Sequence, residues 1–186
     1  MMLAAAMLYG TPAMAHNGAE HALSFASGFA HPMTGLDHML AMLTVGLWAG
    51  LNGGRALWVW PLAFVGVMLV GGGMGMSGVH LPAVDAGILA SVVILGLLVL
   101  SAERMPVAAG AVLIGVFALL HGHAHGTELP ATAAASSYMA GFAVATGMLH
   151  AAGLGAAYAG AGTTARIAIR AAGGVAVAAG LVLAVI

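Results

Sequence analysis

The sequence predicts an all-α integral membrane protein, a bundle of six transmembrane helices. Three observations lead there. The chain is 62% hydrophobic and 5% charged, with a mean hydropathy of +1.09, where a soluble domain carries about 25% charged residues. So little polar surface cannot cover a folded chain, so lipid must be its solvent. The apolar residues also fall into segments close to the roughly 20 residues that cross a bilayer core as a helix. Finally, these runs lack the period-2 alternation of barrel strands, and only helices or closed barrels satisfy the backbone in lipid.

The elements follow in order along the chain. Residues 1–15 read as a secretory signal ending in Ala13-Met14-Ala15, with cleavage before His16, although the usual basic start is missing. Residues 16–186 are then a single transmembrane domain. Its helices are expected near 32–51, 56–76, 84–102, 106–122, 133–157 and 165–186. Pro32 suits a first helical turn and so marks the start of the first. Arg55, Arg104, Arg166 and Arg170 all fall in connections on one side, which the positive-inside rule makes cytoplasmic. The mature N-terminus is therefore expected outside, together with His16, Glu20, His21 and His31, the 80–85 loop and the run HGHAHGTELP (121–130). Trp48, Trp58 and Trp60 fit an aromatic belt at the cytoplasmic boundary. Gly46/Gly50 and Gly71-Gly72-Gly73 fit close helix packing, although a single glycine is more simply ordinary membrane-helix composition. Met39, Met42, Met68, Met74 and Met76 read as lipid-facing or core fillers.

Composition also excludes function classes. A net charge of −1, with four arginines and no lysine, builds no basic surface for nucleic acid. The absence of cysteine removes disulfides, iron–sulfur clusters and thiolate zinc sites. Any metal must be held by imidazole, carboxylate, thioether or backbone. Nine histidines equal all the charged residues together, and that imbalance is the first functional clue.

Two stretches carry the chemistry. In HPMTGLDHMLAM, His31 and His38 are seven residues apart, hence on one face of a helix, with Gly35 between them and Met42 one turn further. Gly35 removes a side chain from that stripe and would admit an ion or a second helix. Asp37 and His38 would lie about 8–9 Å along the helix, below the headgroups, where polar groups are costly unless paired or ligated. Asp37 could ligate or fix the ring nitrogen of a histidine elsewhere; a buried Asp–His pair that merely locks two helices is the plainer reading. In the second stretch, His121, His125 and Glu128 share a face if the fourth helix continues through it. His123 points elsewhere, as a ligand of first contact. Neutral imidazole with a nearby carboxylate suits nickel, cobalt, copper or zinc, and a solvated histidine tract is the alternative. His150, deeper in the fifth helix, could line a path inward or simply bond a neighbour. The N-terminal amine and imidazole of His16 could capture metal. His80 and Asp85 read as interfacial, and Glu103/Arg104 as a solvated loop pair.

HPMTGLDHMLAM followed by HGHAHGTELP, in a six-helix chain behind a signal, resembles the HupE/UreJ family of nickel/cobalt permeases associated with hydrogenase and urease maturation. The H-x5-DH spacing is also loosely similar to the H-x4-DH signature of another nickel/cobalt transporter class. The first resemblance covers essentially the whole mature chain. It implies metal uptake across the bacterial cytoplasmic membrane, with His31, Asp37, His38, His121, His123, His125 and Glu128 as metal-handling positions and no permanently bound cofactor. Ni²⁺ or Co²⁺ would be the cargo, and a homo-oligomer is compatible with the reading.

The expected function is therefore secondary transport, since no G-x4-GK[ST] motif is present for ATP. Motif one opens the first helix and motif two closes the fourth, as a 3+3 inverted repeat would have it. An intramembrane metal-dependent enzyme, with Glu128 as base, is the rival from another class, although HExxH is absent. A metal-sensing or storage protein is the third reading.

Overall fold

The computed structural model describes residues 17–129, 133–159 and 162–185, and every regular element among them is helical. In chain order these are α1 (Asn17–Thr34), α2 (Leu36–Asn52), α3 (Ala56–Met76), α4 (Val84–Ser101), α5 (Val107–Thr127), α6 (Ala133–Ala159) and α7 (Thr163–Leu183). Five of them, α3 to α7, are long and apolar enough to cross a membrane, whereas α2 has 17 residues. The chain is an all-α, multi-pass membrane protein. The signal segment 1–15 and His16 lie outside the described residues.

The start of the bundle departs from the sequence reading. Instead of one helix opening at Pro32, two helices meet at Gly35. Pro32 sits inside the last turn of α1, and Gly35 is extended, with φ −96° and ψ 115°. Proline withholds an N–H from the helix, and glycine costs about 1 kcal/mol against alanine within one. Close together, they end α1. The Asp37 carboxylate then accepts the His38 backbone N–H at 2.8 Å, satisfying a donor that a new helix start would leave orphaned.

Helix α1 is therefore structured where an outer tail was expected. Gly28 abuts the Tyr138 carbonyl, and Gly141 abuts that of Phe25, so α1 runs antiparallel to α6. That direction carries Glu20 and His21 back along α1, away from the His31 end.

Helix α5 also extends beyond its expected end. The run His121–Thr127, expected to connect two helices, is helical and closes at Glu128. Two glycines make this possible through packing rather than propensity. A β-carbon on Gly122 would collide with the Met68 carbonyl, and one on Gly126 with the Gly72 carbonyl. From the facing helix, Gly71 and Gly75 press on the Leu119 and His123 carbonyls. The α3–α5 contact is the most extensive in the bundle, and backbone lies directly on backbone along it. Of the glycine patterns read from sequence, Gly46, Gly50, Gly71 and Gly72 pack tightly, whereas Gly73 faces open space.

Around this pair, α1 and α2 pack on α6, α4 packs on α7 and on α2, and α4 touches α5. Trp48 and Trp60 are fully buried and stacked at 4.1 Å, donating their indole N–H groups to the Glu103 and Val107 carbonyls. They are core pins, and only exposed Trp58 suits a boundary belt. Met42 and Met68 are likewise core. The arginines gather at one end, with Arg170 donating to the last-turn carbonyl of Leu100 at 2.7 Å. The histidine motifs occupy the other.

Replacing Gly122 by alanine should overpack the α3–α5 seam and cost about 1–3 kcal/mol, seen as a lower melting midpoint in detergent. Gly66→Ala, where a β-carbon meets nothing within 4 Å, should leave the midpoint unchanged or raise it slightly. Equal effects at the two positions would show that the seam is not tightly packed.

Candidate metal centre

Three helix ends build the centre. The last turn of α1 brings His31, the first turn of α2 brings Asp37 and His38, and the last turns of α5 bring His121, His125 and the closing Glu128. Together, His31, Asp37, His38, His125 and Glu128 line one cavity of about 350 Å³, joined by Asp85 from the first turn of α4. Two stretches nearly ninety residues apart therefore meet at one end of the bundle.

The Asp37–His38 pair sets the chemistry. His38 Nδ1 lies 2.7 Å from Asp37 Oδ1, the same oxygen that accepts the His38 backbone N–H. An ionised carboxylate only accepts, so Nδ1 carries the ring proton and Nε2 keeps its lone pair. A β-carbon on Gly35 would lie 3.0 Å from both Asp37 Oδ1 and His38 Nδ1. The space that glycine leaves is filled by the pair itself, not by an ion or a neighbouring helix.

The free nitrogen of His38 faces another imidazole. His125 Nε2 is 2.7 Å from His38 Nε2, so in the metal-free chain His125 must donate the single proton between them. Two nitrogens each about 2.1 Å from one cation lie about 3 Å apart when cis, so a small opening would exchange that proton for an ion. His31 completes the cluster, its ring 4.6 Å from that of His125. Ligand atoms of His31, His125 and Glu128 all lie within 4.8 Å of one another. Phe142 packs on the His125 ring at 4.4 Å, and Tyr138 on His31 at 5.8 Å. This aromatic wall limits how far the imidazoles can swing.

His121 stands behind the cluster, fully buried, its ring 5.2 Å from His38. Its Nδ1 donates to the Phe117 carbonyl at 2.8 Å, which leaves Nε2 as a lone pair without a partner. His123 turns to the opposite face of α5. It is buried, and its Nε2 donates to the Val79 carbonyl at 2.6 Å, so it points away from His31 and His38, as its spacing predicts. Instead it lines a second cavity of about 280 Å³ with His80, sharing Asp85, Ala124 and Glu128 with the first. His150 is buried in α6 beside Phe64, away from the cluster. Met42 lies in the apolar core, and neither cavity includes it.

The cavity gathers Asp37, Asp85 and Glu128 with no arginine or lysine in its lining, a charge balance that attracts cations. Asp85 is the site residue whose weight the sequence did not show, because nothing in an Asp at the head of an apolar helix tells which neighbour it will face. Tyr138 and Phe142 were equally silent, being ordinary aromatic residues of a membrane helix.

Comparison with known proteins bears on this geometry. The family model described as HupE / UreJ protein matches residues 4–183. The chain is 44% identical over 181 residues to Protein HupE of Rhizobium leguminosarum bv. viciae, covering 97% of this chain and 94% of that one. No solved structure matches.

The tautomer argument can be checked without metal. In ¹⁵N-histidine NMR spectra, His38 should show a protonated Nδ1 with a strongly deshielded proton. Asp37→Asn should remove that signal and mix the two ring tautomers. An unchanged His38 spectrum in the variant would mean that the carboxylate does not fix the ring.

Proposed function

The chain belongs to the HupE/UreJ family, and on that premise we propose that it carries a divalent transition-metal ion, Ni²⁺ or Co²⁺, across the bacterial cytoplasmic membrane. The observation that carries this reading is the pair of facing Nε2 atoms of His38 and His125, 2.7 Å apart, with one ring anchored by Asp37. A pair that served only to lock two helices would need neither a third histidine nor two further carboxylates around it. The donor set of imidazole and carboxylate, without thiol, suits nickel and cobalt better than copper(I), which favours sulfur.

The residues suggest a sequence of steps. Asp85 and Glu128, at the junction of the two cavities, concentrate the hydrated cation and begin to replace its water. The ion then passes between His38 and His125, displacing the proton they share. That proton moves to His125 Nδ1, so the ring stays neutral, and Glu128 Oε2, which stands at 3.8 Å, can accept the new N–H. His31 closes the coordination from α1. Binding thus shifts one proton across the His125 ring and leaves each ring held by a carboxylate, the arrangement that raises ligand basicity.

The cargo ion is a substrate, not a resident cofactor. With the arginines at the opposite end, the histidine mouth faces outward under the positive-inside rule. Exchange of α2–α4 with α5–α7 maps α2 on α6 to α3 on α5, and α4 on α5 to α2 on α7. That supports an inverted repeat rocking about the site, although α2 on α4 and α2 on α3 have no counterparts among the main contacts. Supplying nickel to hydrogenase or urease assembly is the physiological role that the family suggests.

Vesicles containing the protein should accumulate ⁶³Ni²⁺, and His38→Ala should lower the rate by at least tenfold. Metal bound by the wild type without any accumulation would replace transport with storage or sensing. Affinity should also fall with acidification, because a protonated ring cannot ligate. Equilibrium dialysis at falling pH should show a progressively weaker Kd. An affinity that does not weaken at any pH at which the chain stays folded would remove the histidines from the ligand set.

A further inference from the structure

Six rings form a continuous series leading from the mouth into the bundle. His31 touches His125 at 4.6 Å, His125 touches His38 at 4.6 Å, and His38 touches His121 at 5.2 Å. Beyond His121 comes Phe64 at 5.5 Å, and Phe64 in turn meets His150, edge-on, at 4.9 Å. The last member is unlike an ordinary core residue. His150 is 1% exposed, and neither of its ring nitrogens has a hydrogen-bond partner among the described residues. In any neutral tautomer one of those atoms is a donor and the other an acceptor, so both are buried unsatisfied. Buried polar groups in folded proteins are nearly always paired, and each exception calls for an explanation.

Position and neighbours supply one. The His150 carbonyl packs against Gly46 of α2, eight residues past His38 and so about 12 Å further from the mouth along that helix. One turn before His150 on the same face of α6, Thr146 donates its hydroxyl to the Met68 sulfur at 3.7 Å. Met68 lies one turn after Phe64 on α3. The register of α3 against α6 pairs Met68 with Thr146 and Phe64 with His150, and so sets the imidazole one helical turn from the thioether and hydroxyl, while the His121 ring lies on the other side of Phe64. Imidazole with thioether is a donor set for borderline divalent transition metals, and it offers nothing to alkali or alkaline-earth ions.

We propose that His150, with Met68 and Thr146, forms a second, inner station for the divalent cation, reached from His121 past the Phe64 ring. The inference rests on the transport reading for its purpose but not for its detection. The cation would leave an imidazole- and carboxylate-lined mouth for a site with no carboxylate among the described side chains. The weaker charge compensation there favours release toward the cytoplasmic end over retention. Phe64 separates the two stations, so that an ion cannot occupy a continuous wet path between them.

The test uses the full chain purified in detergent and reconstituted in vesicles. Wild type should bind two equivalents of Co²⁺, followed by the visible d–d absorption, and should take up ⁶³Ni²⁺. His150→Leu, which keeps the core filled, should bind one equivalent and lose uptake by at least tenfold. His150→Gln is scored on the same criteria, so that the result does not depend on one variant folding well. Two equivalents retained by a folded variant, or uptake within twofold of wild type, would overturn the inner station while leaving the transport reading intact. Wild type that binds two equivalents, one lost with His150, but moves no nickel would support the station and defeat transport.

Discussion

The hydrogen bond between Asp37 and His38 is the constraint from which the rest of the site follows. One carboxylate oxygen accepts both the ring N–H and the backbone N–H of the next residue, so the same contact starts α2 and selects the tautomer. An aspartate buried alone in a membrane helix costs about 2.5–3.5 kcal/mol. Here the helix start itself compensates it, because the N-terminal dipole and the free amides favour an anion. Gly35 makes the arrangement sterically open, and Pro32 brings α1 to an end close before it. The result is an imidazole whose Nδ1 is held by Asp37 and whose Nε2 is turned toward His125.

That lone pair has meaning only if α5 arrives at the right height, and the glycine seam with α3 decides this. Gly122 and Gly126 alternate with His121, His123 and His125, so the residues that let α5 lie on the α3 backbone also orient the histidines between them. Along α5 the glycines face α3, which turns His121 and His125 toward α2 and α1 and leaves His123 for the α3–α4 loop. Lipid supplies no hydrophobic drive between helices, so close backbone contact has to hold them. The precision of the site is in this sense a packing property of α3 and α5, and the two tryptophans stacked at the far end hold the opposite side of the bundle.

Much of this was legible in the sequence, and the parts that were not share a cause. Apolar length marked five spans to within a few residues at most ends, because the backbone's demand for internal hydrogen bonds in lipid leaves little choice. The meeting of His31, Asp37 and His38 with His125 and Glu128 could be anticipated from charge economy alone. Illegible was whatever depended on packing between helices. Proline before a helix start and proline in a last turn look alike in sequence, so the break fell at Gly35 rather than Pro32. Glycines in HGHAHG suggested a loop, since propensity could not reveal the α3 carbonyls waiting for them. Trp48 and Trp60 read as boundary residues because their carbonyl acceptors lie in a distant connection.

The arrangement of carboxylates gives the proposed path its direction. Asp85 and Glu128 sit where the two cavities join, Asp37 one contact deeper, and beyond His121 the aligned rings are those of Phe64 and His150. A dication drawn toward the mouth by negative charge would remain there if every later ligand were as strong. Imidazole and thioether alone hold it less tightly, and each step inward removes water as well as charge compensation. A gradient from charged to neutral donors therefore lets the mouth be selective without becoming a trap. A site meant for storage would instead place its carboxylates around the deepest ligand, where the ion is hardest to release.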